Sequence, residues 1–158
     1  MAVPQKIIKF LEKNKVKYEP IKHRTVFTAY DKAQTLKVPE KIVGKTLVMK
    51  VDNSPALILI PANKNLDKNK LKRVSKGKKI DFAKESLTKN KIKGVKVGAV
   101  PPFGNLWNLA TFVDRSLMNQ PKIIINGGDY QWSIKIKPKD FKKLIPDLAI
   151  SSFTKAKK

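Results

Sequence analysis

Apolar and polar positions repeat along the chain with two periods. In "PQKIIKFLEKNK", Ile7, Ile8, Phe10 and Leu11 fall near one face of a helix, with Pro4 suited to its first turn and lysines towards its end. The segment "VKYEPIKH" reads as a short strand. Thr28 can cap a second helix, "AYDKAQTLK", which stops before Val38-Pro39 because the residue ahead of a proline is pushed out of the helical region. "TLVMKVD" and "ALILIPA" are apolar, β-branched runs on either side of a "DNSP" turn, the pattern of a β-hairpin.

Further along, Leu66, Leu71 and Val74 form a thin apolar stripe on a very basic helix, "LDKNKLKRVSKG", ended by Gly77. "KKIDFA" predicts a short strand and "SLTKNK" a short helix capped by Ser86. "VKVGAVPPFGNLWN", with two glycines and two adjacent prolines, predicts an irregular loop. "ATFVD", "KIIIN" and the alternating "YQWSIKIK" are strand candidates, "KDFKKLI" a closing helix, and "SSFTKAKK" a frayed basic tail. Strands and helices mix without a βαβ repeat, and consecutive strands suit antiparallel pairing. The expected fold class is α/β: a single domain with a mixed, curved, partly closed sheet surrounded by helices.

Gly44-Lys45-Thr46 has the look of the tail of a phosphate-binding loop, but the reading fails on two counts. The first glycine such a loop needs is replaced by Pro39, which has no N–H to offer, and Thr46 leads into a strand instead of a helix. Lys45 therefore needs another role.

Composition narrows the chemistry. With 158 residues the chain is long enough for one domain with a real core. It has no cysteine and one histidine, His23, which excludes thiol nucleophiles, disulfides and thiolate metal clusters. No apolar run is long enough for a membrane span and the N-terminus lacks a signal-type apolar segment, so the expected location is the cytoplasm. Charge adds most. The chain carries 35 Lys and Arg against 12 Asp and Glu, a net charge of +23, and nearly all of the excess is lysine. Such a field concentrates polyanions, and lysine suits diffuse phosphate attraction more than base-specific readout. RNA or DNA is the natural partner, and no basic amphipathic helix with a large apolar face favours a membrane.

Three glycine-bearing loops could approach a ligand: "VGK", "GAVPPFG" at 98–104 and "NGGD" at 126–129. Turn chemistry alone would also account for each. As an ordered set, "GKTLVMKVD", "ALILIPA", "LDKNKL", "VGAVPPFG", "TFVDRSL" and "INGGD" resemble the YbaK and prolyl-tRNA synthetase-associated editing domains, from about His23 to Phe141. The resemblance implies a YbaK-like domain over 1–148 followed by a basic tail over 149–158, with a barrel-like mixed sheet. It implies hydrolysis, in trans or as an inserted domain, of the ester joining a wrong amino acid to tRNA. The partner is then tRNA, with room for an aminoacyl-tRNA synthetase, and no cofactor or metal is called for, since a positioned water or a hydroxyl or thiol of the substrate can attack an aminoacyl ester.

Carried over by position, the resemblance places Lys45, Gly98, Gly104, Gly127 and Gly128 in the catalytic machinery. Lys45 would hold a phosphate or carbonyl, and the loop N–H groups would stabilise the oxyanion. Thr28, Pro101, Pro102, Phe103 and Asp114 would contact the substrate, Asp114 being equally suited to capping the turn at "DRS". Apart from the resemblance, His23 is a candidate substrate contact or general base, or a hydrogen-bonded strand residue. Trp107 could stack on the terminal adenine or wall the pocket. The alternative to an enzyme is an RNA-binding module that keeps the fold without turnover.

Overall fold

The computed structural model describes residues 3–157; Met1, Ala2 and Lys158 lie outside them. Helix α1 (Gln5–Lys13) turns Ile7 and Leu11 fully into the core, as the apolar stripe predicts. Strand β1 (Tyr18–Lys22) leads to α2 (Ala29–Leu36), capped by Thr28, whose hydroxyl accepts from the Asp31 N–H at 3.0 Å. The hairpin is β2 (Gly44–Val51) and β3 (Ser54–Pro61), antiparallel from Gly44 opposite Pro61 to Val51 opposite Ser54.

Unlike a one-sided strand, β3 is buried on both faces. Leu59 packs into one apolar cluster with Ile7, Phe103 and Ile125, while Ile58 and Ile60 pack into another with Leu71 and Phe153. This is why "ALILIPA" is continuously apolar: a central strand has no wet face to alternate with.

After β3 come β4 (Lys64–Leu66), α3 (Lys68–Ser75), β5 (Ile80–Phe82) and α4 (Glu85–Lys91). Leu66, expected on the helix, belongs to β4, and Asp67 caps α3 by accepting from the N–H groups of Asn69 and Lys70. The N-cap of α4 is Lys84, so Ser86 falls inside the first turn and makes no cap. Next are β6 (Ala110–Asp114), α5 (Arg115–Met118), β7 (Ile123–Asp129), β8 (Trp132–Ile136), α6 (Phe141–Leu144), β9 (Ala149–Ser151) and β10 (Thr154–Ala156).

Five strands form a mixed sheet in the order β5-β2-β3-β6-β9, with β3–β6 and β6–β9 parallel. β1, β8 and β7 make an antiparallel sheet, and a parallel bridge between Val43 and Ile124 joins it to the start of β2. The curved, partly closed arrangement matches the expected class. The parallel pairs make the sheet mixed, as expected, and one feature departs from expectation. The β3–β6 pair is parallel because a long crossover through α3, β5 and α4 separates its strands, whereas hairpin-linked pairs stay antiparallel. The C-terminal segment is woven into the fold instead of frayed: β9 extends the large sheet, β10 pairs with β4, and Phe153 between them is fully buried. Truncating a buried phenylalanine of this kind costs about 3–5 kcal/mol, and the strand pairings of β9 and β10 share with it the work of ordering the segment.

Candidate functional site

A cleft of about 200 Å3 lies where α2, the start of β2, the 98–104 loop and the end of β7 meet. Thr28 and Phe27 stand on one side, Lys45 and Thr46 on another, Gly98 and Ala99 on a third, and Asn126 and Asp129 close it.

The glycines explain how that arrangement is reached. In a regular strand, residues three apart face opposite sides. The register of β7 against β8 shifts between Asn126 and Asp129, with Gly127 and Gly128 as the extra residues, and this bulge lets both polar side chains line the cleft. Neither glycine has room for a side chain. A Cβ on Gly127 would lie 2.9 Å from the Trp132 carbonyl oxygen, and one on Gly128, whose φ is +86°, would lie 2.8 Å from Ile7 Cδ1. The Gly128 N–H donates to the Ala99 carbonyl at 2.9 Å, and its own carbonyl accepts from the Lys96 N–H at 3.0 Å. These bonds clamp the 98–104 loop to the bulge. They also correct one expectation: the Gly128 N–H is committed to holding the loop and is not free for an oxyanion.

The same loop divides sharply after Ala99. Gly98, at φ +87°, is exposed at the cleft, where glycine's tolerance of positive φ is what the backbone needs. Pro101, Pro102, Phe103 and Gly104 are buried away from it. Phe103 packs between Phe10 and Phe141, and the Gly104 N–H donates to the Thr111 hydroxyl at 3.0 Å. The expected catalytic role of Gly104 and substrate contacts of Pro101, Pro102 and Phe103 give way to packing, because these groups are enclosed by core side chains and Gly104 already has its acceptor.

For Asp114 the capping reading holds, in place of a substrate contact. Only 2% exposed, it caps α5 through the Ser116 N–H and hydroxyl, and it accepts from the Phe153 N–H at 3.0 Å and the Thr154 hydroxyl at 3.2 Å. It fastens the C-terminal strands to the sheet. His23 sits behind the cleft, with Nδ1 against the Arg24 carbonyl and Nε2 against the Ser133 hydroxyl, each at 2.8 Å. That pattern assigns a proton to Nδ1 and leaves Nε2 to accept. Burial, with the nearby Lys32 and Arg24 charges, lowers its pKa from the ordinary value. Trp107 is a wall residue outside the cleft, donating to the Lys93 carbonyl at 2.8 Å beneath the Lys6 ammonium.

Lys45 lines the cleft. It projects, exposed, from β2 at the rim of the cleft, and among the described residues no carboxylate forms an ion pair with it. Thr28 also lines the cleft while capping α2.

The principal residue that sequence reasoning missed is Lys32. It is 5% exposed, lines the cleft, and donates to Asn126 Oδ1 at 2.6 Å; Asn126 in turn donates from Nδ2 to the Val100 carbonyl at 3.1 Å. No carboxylate among the described residues pairs with it, and burial pushes its ammonium down to about 7. The cleft's one carboxylate, Asp129, is tied to Lys96 at 3.4 Å and to the Gln131 N–H at 3.0 Å. A signal was available: Ala29, Lys32, Ala33 and Leu36 follow the i, i+3, i+4, i+7 spacing, so Lys32 occupies the apolar stripe of α2. The Thr46 hydroxyl in the same wall is buried without a partner among the described residues.

Chemically, the cleft offers one exposed cation, one buried amine with a near-neutral pKa, and backbone and amide donors around a space sized for a small polar group. No helix among the described residues is long and apolar enough to cross a membrane.

No curated protein matches the sequence. The fold is shared with hypothetical protein APE2540 (TM-score 0.85, 20% identity, 95% of this chain and 99% of that one). It is shared also with a protein described as a "putative trans-editing enzyme for prolyl tRNA synthetase" (TM-score 0.81, 22% identity, 96% of each chain). Residues 23–144, most of the chain and all of the cleft, match the aminoacyl-tRNA editing domain, and the chain belongs to that family.

Proposed function

We propose that this protein is a free-standing deacylase that hydrolyses the ester between a wrong amino acid and tRNA, acting in trans, with help from the substrate and without a metal. The observation that carries the reading is the cleft itself: in a chain of the editing family, a small enclosed space has at its rim Lys45, with no ion-pair partner among the described residues, and a polar Lys32–Asn126 pair inside. A solved structure of the same fold bears a trans-editing description, which supports the direction of the reading.

In this scheme the amino acid enters the cleft and the terminal ribose stays at the rim. Water, or a hydroxyl or thiol of the substrate, adds to the ester carbonyl carbon, and negative charge gathers on the former carbonyl oxygen. The Lys45 ammonium and the Gly98 N–H are the donors that stabilise it. Collapse breaks the bond between the carbonyl carbon and the ribose oxygen, which takes up the proton the nucleophile released. When a substrate group attacks, water completes the hydrolysis of the product it forms. The cleft contains two lysines and a carboxylate already held by Lys96, a donor set suited to charge stabilisation more than to gripping a metal ion. The +23 net charge supplies the attraction for tRNA, and a synthetase could deliver it.

The test is release of amino acid from a panel of mischarged tRNAs carrying alanine, serine, cysteine or threonine. Fast release of one ester supports the deacylase and names its substrate. Release at the spontaneous rate for all four, with tRNA still bound, supports a binding module that has kept the fold.

A further inference from the structure

Lys45 borders two depressions. Beyond the cleft lies an open groove of about 300 Å3, lined by Lys45 and Leu47 of β2, Asn65 of β4, Lys68 of α3, Phe82 of β5 and Lys155 of β10. Segments from within residues 45–82 thus meet on one surface with the C-terminal strand that Asp114 and Phe153 hold in place.

Its chemistry is unusual for this surface. The lining carries three lysines and no carboxylate. Asp81, next to Phe82 on β5, pairs with Lys79, and Asp67, near Lys155, is engaged in capping α3. Phe82 is 58% exposed at the edge of the five-stranded sheet, and the Lys68 ammonium lies 5.3 Å from its ring centroid. The ring keeps apolar area in water that a flat ligand could cover. An open aromatic face among cations matches a polymer that alternates planar bases with phosphates. A double helix would satisfy the lysines but hides its base faces in the stack.

We propose that this groove binds the single-stranded 3′ end of RNA, with Phe82 stacking on a base and Lys68 and Lys155 meeting phosphates. Lys45, shared by groove and cleft, then marks where the terminal ester turns inward. The path into the cleft rests on the deacylase reading; the affinity of the groove for single strands does not.

The experiment is fluorescence anisotropy with a short, 5′-labelled single-stranded RNA that carries no ester, and with a duplex of equal charge. Phe82→Ala should weaken single-strand binding roughly 5- to 100-fold while Phe82→Trp retains it, as expected for a stacked base. Lys68→Ala and Lys155→Ala should each lower the slope of log affinity against log salt by about 0.7. Thermal melts of each variant check that the fold is kept. Unchanged binding by Phe82→Ala, or equal losses for single strand and duplex, would overturn the groove. Loss of single-strand binding in a protein that hydrolyses no ester leaves the groove standing and removes the deacylase. Intact binding by Phe82→Ala in a protein that does hydrolyse esters has the opposite meaning.

Discussion

The floor and the rim of the cleft each hold a lysine, and their surroundings set them apart. Lys32 on the floor is carried by a helix whose apolar stripe takes it out of water, where its amine meets only an amide oxygen and sits near neutrality in pKa. Lys45 at the rim projects from a strand into solvent, free of carboxylates among the described residues. A buried cation without a counter-charge destabilises the fold unless it sheds its proton, whereas a solvated one costs little and stays available to a ligand. The floor is therefore built at the expense of stability, and the rim is where charge can be offered to a substrate.

If the rim lysine serves the transition state, Lys45→Ala should lower deacylation of the best ester by roughly 10²- to 10³-fold, the loss typical of one oxyanion donor. The thermal melt should be unchanged, since an exposed strand residue without partners carries little stability. Turnover within a few-fold of the parent would return Lys45 to the role of a solvated strand lysine.

The floor lysine predicts a different experiment, read in stability. Burial depresses its folded-state pKa to about 7 from the ordinary 10.5. Between those values the unfolded chain binds a proton that the folded chain does not, so stability rises with pH, by roughly 1.4 kcal/mol per unit at most. Falling pH takes that stability away through about 7. The groups facing Lys32 do not mimic the effect: His23 titrates lower, and Asp129 is held by Lys96. Lys32→Met should flatten the pH dependence of urea unfolding between about pH 7 and pH 9 and should be more stable than the parent near pH 6. Parallel curves for the two proteins would mean that Lys32 is solvated or paired in solution.

These two lysines also mark how far the sequence could be read. Lys45 was legible because it sits in an ordered set of motifs and because the hairpin that carries it has a strong local pattern. The hairpin, α1 and the alternation of β8 are all written in neighbouring residues. Lys32 follows a helical stripe, but its burial depends on what Asn126, ninety-four positions away, supplies. The glycine loops look alike in sequence, yet of the 98–104 loop only Gly98 and Ala99 reach the cleft, since packing of Phe103 against Phe10 and Phe141 decides the rest. Non-local pairing hid the C-terminal strands too. "SSFTKAKK" has the composition of a tail, and only the buried Phe153 and the carboxylate of Asp114 make it structure.

The smallest expected effect concerns the residue that joins rim to floor. Thr28 lines the cleft, and its hydroxyl caps the helix that holds Lys32 in place. Removing the cap with Thr28→Ala should cost about 1 kcal/mol, seen as a lower urea midpoint, and should slow turnover if α2 frays and Lys32 shifts. Thr28→Asn separates the two roles, because asparagine caps at least as well as threonine but places an amide where the hydroxyl and methyl were. Should Thr28 act only as a cap, the asparagine variant will regain both stability and rate. A variant that regains stability but remains slow, with a raised KM, places the Thr28 side chain against the substrate, so the rim would then recognise the ester through α2 as well as through β2.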